Sequence, residues 1–154
     1  MSVTAGGALA VIKLRVTAVA AGFPVYWEGD DPPTLPDQPS PFAFIVFSND
    51  GSGRGPVAFG GGAGRNRYRN EGVIEAYTFS PIGSEVGAER VMQRAETLAA
   101  LLRSWRTSEV SFTSADVIYI GNGSKISVPG LSSSPLNNYQ CAVAECTFHF
   151  DQIG

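Results

Sequence analysis

Few side chains in this chain could do covalent chemistry, and their spacing argues against most of it. One histidine, His149, stands among 154 residues. Sites that need two or more imidazoles, such as HExxH zinc hydrolases, are therefore excluded. His149 alternates onto one face of an apolar C-terminal segment, where a hydrogen-bonded structural histidine is favoured over a general base. The closest carboxylate pairs are Asp30-Asp31 and Glu71/Glu75. The first pair lies in a proline loop, where aspartates form solvated turns. Ser132, Ser133 and Ser134 lack a GxSxG context. Cys141 and Cys146 make no CxxC, and their spacing of five puts them on opposite faces of one strand. A disulfide between them is geometrically excluded, and they read as free thiols in a reducing compartment. No enzymatic activity, metal or cofactor is expected.

Two further features invite binding. Residues 49–64 hold seven glycines, but no lysine occurs between Lys13 and Lys125, so no GxxxxGK[ST] phosphate loop exists. GxGxxG fails because Arg65 takes the last glycine's place. The stretch reads as a loop. The basic run is more informative: Arg54, Arg65, Arg67 and Arg69 follow Asp50 with no acid before Glu71. Arg65, Arg67 and Arg69 share parity, so on a strand all three project from one face. Nine of the eleven basic residues are arginine, which suits bidentate contacts to carboxylate or phosphate. Two readings stand. The row is a solvated face paired with acids such as Asp30, Asp31 and Asp37, or it recurs around an assembly where its field sums.

The elements that must position these residues come from a chain of ordinary apolar content, 44%, and low charge, 16% against a usual ~25%. Fewer charges mean a more neutral surface than a free monomer carries. The net charge of −3 supplies no general basic face for duplex DNA. The length suits one domain, residues 1–154, able to bury roughly 70% of its unfolded surface without metals or disulfides. Residues 5–21 are apolar, but Lys13 and Arg15 interrupt them, against both a signal peptide and a membrane span. Leu9, Ile12, Val16 and Val19 instead mark a helix face. Five prolines in 30–41 make that stretch an extended loop.

Strands are expected over 23–28, 42–48, 65–80, 110–120 and 139–151. The second is apolar on both faces. The fourth is expected to break near Ser114, and Ala142, Ala144, Cys146, Phe148 and Phe150 line one face of the last. Between the third and fourth, Ser84 and Glu85 open a helix whose stripe is Met92, Ala95, Leu98, Ala99, Leu102 and Trp105. Gly121-Asn122-Gly123-Ser124 signals a hairpin with a short return strand over 125–128. The order α-β-β-β-α-β-β-β is α+β: a largely antiparallel sheet with two helices on one face.

The segment GGGAGRNRYRNEGVIEAYTFSPIGSEVGAERVMQRAETLAALLR, residues 60–103, resembles the centre of phage tail terminator (tail completion) proteins. The shared pattern is a glycine-rich stretch, a basic-aromatic run, a strand ending in a Pro-x-Gly turn, and an alanine-leucine helix. The flanking layout is similar. The resemblance implies a homohexameric ring at the head-proximal end of a phage tail tube, without chemistry. It implies contacts with the tail tube protein and with a neck, head-completion or adaptor protein, no membrane, and DNA only in transit through the lumen. Such a ring resides in the virion after assembly in the host cytoplasm. Arg54, Arg65, Arg67, Tyr68 and Arg69 would then face the lumen or a neighbouring subunit. The alternatives are a neck or head-completion protein of the same virion, and a monomeric module that binds an acidic ligand or nucleic acid.

Overall fold

In the computed structural model, two strands of fifteen residues form the axis of the molecule: β4 (Arg67–Pro81) and β6 (Tyr139–Ile153). They pair antiparallel along their whole length, from Arg67 opposite Ile153 to Pro81 opposite Tyr139. Around them lie α1 (Ala5–Ala18), β1 (Val25–Trp27), β2 (Phe42–Ser48), β3 (Val57–Phe59), α2 (Gly87–Leu102) and β5 (Ser111–Asn122). The structure describes residues 4–18, 22–31, 33–35, 38–48, 57–60, 65–83, 87–131 and 134–153. The sheet runs β1-β2-β4-β6-β5, with β3 added beside the start of β4. Every pairing is antiparallel except β1 with β2. The fold is α+β, as the patterning requires.

Alternation along the strands sorts the apolar side chains into two layers. On one face Ala8, Ile12 and Val16 of α1, and Val91, Ala95, Leu98, Ala99 and Leu102 of α2, pack on Ala43, Ile45, Ile74, Ala76 and the five residues from Ala142 to Phe150. Both helices thus cover the same side. The α1 stripe centres on Ala8, with Leu9 only partly buried, and Val19 lies outside the described residues. Val91 belongs to the α2 stripe, whereas Met92 sits at its margin. Glycine at position 72 is a packing requirement, because a Cβ there would come 2.4 Å from the Phe148 ring. The buried Thr78 hydroxyl is satisfied by the carbonyls of Ala142 and Val91, at 3.0 and 3.3 Å.

Among the described residues the opposite face carries no α-helix. Phe42, Phe44, Phe79, Tyr139 and Cys141 are covered there by Val128 and Leu136, with Leu35, Ile126 and Leu131 at the margin. β2 is therefore buried on both faces, as its unbroken apolar run predicts. The cover also corrects the expected hairpin. No return strand forms over 125–128. Asn122 instead caps a short 3-10 helix, Gly123–Lys125: its Oδ1 accepts from the Ser124 N–H at 2.9 Å and its Nδ2 donates to the Asn137 carbonyl at 3.0 Å. Ile126 and Val128 are then spent on covering the sheet. A second correction is β3, which pairs with β4 inside a stretch that glycine content marks as loop. The expected break in β5 appears as a register shift between Phe112 and Ser114, and another lies between Tyr119 and Gly121. The Ser84 cap and Glu85 lie outside the described residues.

Candidate subunit interface

β4 begins at Arg67, two residues after the exposed Arg65, and its parity sends Arg67 and Arg69 to the side away from α1 and α2. Tyr68, on the other side, is half-buried with its backbone between Ala58 and Gln152. Arg54 lies outside the described residues. The row is not three equivalent cations. Arg69 is bidentate to Asp151 of the neighbouring strand, Nε to Oδ1 at 3.0 Å and Nη2 to Oδ2 at 3.1 Å. The Arg67 Nε lies 3.0 Å from Oδ2 of the same carboxylate. Pairing with acids is one of the two readings of the row, and Asp151 receives Arg67 and Arg69, while Asp30 pairs with Lys13 and Asp37 lies outside the described residues. Asp151 is found through the β4–β6 register, which places it opposite Arg69.

The local electrostatics follow. The Asp151 side chain is 13% exposed, against 57% for Arg67. Hydrogen bonding to Arg69 holds the Asp151 carboxyl below its ordinary value, outweighing the burial that opposes it. The same contact raises the Arg69 guanidinium. Burial, and then the Arg69 charge, pushes the His149 imidazole below its usual range. A small cleft of about 110 Å³ opens beside this cluster, lined by Arg67, His149 and Asp151 together with Thr107, Ser108 and Ser111. His149 is half-buried on the same side of the sheet, opposite Glu71.

Further along this face, register places Glu75 of β4 opposite Glu145 of β6, and Glu145 opposite Asp116 of β5. Sequence reasoning missed this row because it joins residues up to 70 positions apart; only the strand order brings them together. The Tyr77 hydroxyl donates to the Glu75 Oε2 at 2.6 Å, and burial followed by that bond raises the phenol. Among the described residues no cation pairs with any of the three carboxylates.

Cys141 and Cys146 are free and buried in different layers, on opposite faces as their spacing demands. Burial pushes both thiols up to about 12, which makes them inert as nucleophiles. Among the described residues no group of histidine, cysteine and carboxylates could hold a metal. No described helix is long and apolar enough to cross a membrane.

The surface also keeps large apolar side chains uncovered. Leu14, on the outer side of α1, is 71% exposed, Ile82 just past β4 is 46% exposed, and Ile118 and Tyr119, on opposite faces of β5, are 48% and 44% exposed. The neighbours of Leu14 on α1 reach in two directions: Arg15 donates to the Leu101 carbonyl at 3.3 Å and lies over the Trp105 ring. Lys13 ties α1 to the β1 end: it lies over the Trp27 ring and reaches Asp30 at 3.1 Å. β5 is the other edge.

No protein-family model matches the chain, and no curated protein is similar to it. One similar solved structure, of a protein whose name says nothing of its role, covers 91% of this chain with 86% of its own, at 16% identity and a TM-score of 0.45. A likeness of that degree carries no argument about function.

Proposed function

We propose that this chain is a structural assembly protein of the tail-terminator kind. In that role it is a subunit of a homohexameric ring that caps the head-proximal end of a phage tail tube, ends tube growth and joins the tube to the head or neck. The reading starts from the resemblance of residues 60–103. The observation that carries it is that uncovered apolar side chains stand on different elements, among them Leu14 on α1 and Ile118 on the β5 edge. Two different patches can meet each other from one subunit to the next. They suit a head-to-tail contact, which closes into a ring when the rotation per subunit allows. The low overall charge fits a subunit whose surface is largely covered.

In this role the tail tube protein binds one ring face and a neck, head-completion or adaptor protein the other. DNA only passes through, the subunit resides in the virion, and neither cofactor nor covalent chemistry is needed. Native mass spectrometry over a range of concentrations, with and without tube protein, tests the reading. Six copies of 16.2 kDa give a closed species of about 97 kDa. A strict monomer under every condition overturns the ring and leaves the binding module.

A further inference from the structure

We infer that the face of the sheet away from α1 and α2, around Glu75, Glu145 and Asp116, is the surface on which the arginine-rich segment of a second copy docks. This inference rests on the ring reading and names the surface through which one subunit would meet the next.

The face has three properties that belong together. First, the loop cover stops short of it: Val128, Leu131 and Leu136 pack over the Phe42–Phe79–Cys141 end, while Glu145, Asp116, Ser114 and Ser48 remain exposed. Second, three carboxylates stand in one row across three adjacent strands. Like charges directly opposite one another weaken strand pairing. Placing three together in a chain with 16% charged residues leaves a site with marked negative potential. Third, the face is not simply a solvated charged surface, because Ile118 stands beside Asp116 on the same side, 48% exposed, in register with Val143. Acids rimmed by an uncovered branched apolar side chain at a sheet edge make a docking surface for a basic segment with some apolar content.

The chain itself contains such a segment. Between Asp50 and Glu71 it carries Arg54, Arg65, Arg67 and Arg69, no acid, and Pro56, Val57 and Phe59. Among the described residues of one copy, Asp151 pairs with Arg67 and Arg69. Arg65, exposed just ahead of β4, then provides intermolecular charge, and Arg54 belongs to the same stretch of sequence. Donor segment and acceptor row are different parts of the same molecule, so the contact is head-to-tail and repeats from subunit to subunit.

The test is a charge swap read by native mass spectrometry at low and moderate salt. Two reversed proteins are made, Asp116→Arg with Glu145→Arg, and Arg54→Glu with Arg65→Glu, together with the protein carrying all four changes. Each reversed pair is expected to raise the concentration for half-assembly about tenfold or more, and the fourfold swap to return it to within about threefold of wild type. Far-UV circular dichroism and the thermal midpoint check that the monomers stay folded. Should the reversed acid row fail to fold, the milder Asp116→Asn with Glu145→Gln protein replaces it. Its assembly is expected to weaken and to lose part of the wild type's salt dependence. Rings that form equally well from every variant overturn the docking surface and leave the ring reading intact. So does a fourfold swap that remains as impaired as its parents. A wild-type protein that stays monomeric even with tube protein overturns the ring reading and, with it, this inference.

Discussion

Asp151 holds two guanidinium groups with one carboxylate, and its worth depends on what stays wet. Its own side chain is nearly buried, but Arg67 and Arg69 are 57% and 39% exposed, so much of the attraction is screened. We expect Asp151→Asn to cost about 1 kcal/mol in urea unfolding at pH 7, since charge-assisted bonds are lost from a half-wet cluster. The pH dependence has a definite sign. The native carboxyl titrates below its unfolded value of ~3.9, so the stabilisation is complete above about pH 5 and disappears as pH falls through the native value. The gap between wild type and Asp151→Asn should therefore shrink between pH 5 and pH 3; a constant gap would contradict the assigned pairing. At this scale the sequence was half legible. The shared parity of Arg67 and Arg69 is visible in it, and so is the separation of Cys141 from Cys146. The carboxylate that receives the arginines is not, because it lies 82 residues from Arg69 and only strand register connects them.

At the scale of elements, the end of α2 is held by a residue ill suited to the task. Ser104 adopts a left-handed conformation with φ of +59°, the only described non-glycine residue that does. There the chain turns back: the Trp105 N–H donates to the Leu102 carbonyl at 3.0 Å, and Trp105 then packs its ring against Phe112. A side chain in that region costs roughly 1 kcal/mol relative to glycine. We expect Ser104→Gly to raise stability by about 0.5–1 kcal/mol in urea unfolding, with no change in assembly. A loss of stability would mean that the serine hydroxyl, rather than the turn, matters there. The elements best read from sequence are those with a long period. The alternation from Ala142 to Phe150 and the stripe from Ala95 to Leu102 both mark one buried face, and both are found there. Short elements were less legible for physical reasons. β3 has three residues between glycines, too few to show a period, and it exists because the start of β4 offers an open edge. The Asn-Gly signal at 122–123 failed because the hairpin must compete with an apolar sheet face that needs covering. Ile126 and Val128 serve that cover better than they would a return strand.

For the whole molecule, the exposed Leu14 and Ile118 lead to a prediction that does not depend on the charge swap. If Leu14 of one subunit lies on the interface that meets the β5 edge of the next, each subunit carries two different half-interfaces. Spoiling either one in every copy prevents any contact. Leu14→Glu alone and Ile118→Glu alone should each give monomers with an unchanged fold, because neither side chain belongs to the buried core, Leu14 being 71% and Ile118 48% exposed. Mixed together, the two proteins retain one intact pair of halves: the β5 side of the Leu14 variant and the α1 side of the Ile118 variant. The mixture should form a heterodimer of about 32 kDa, twice the subunit mass, and nothing larger. Native mass spectrometry distinguishes the outcomes directly. A heterodimer that grows no further is the signature of a head-to-tail contact with one broken face at each end. No association in the mixture would mean that both residues lie on the same half-interface. Full-sized rings from either single variant would remove that apolar site from the assembly, and with it the observation on which the ring reading rests.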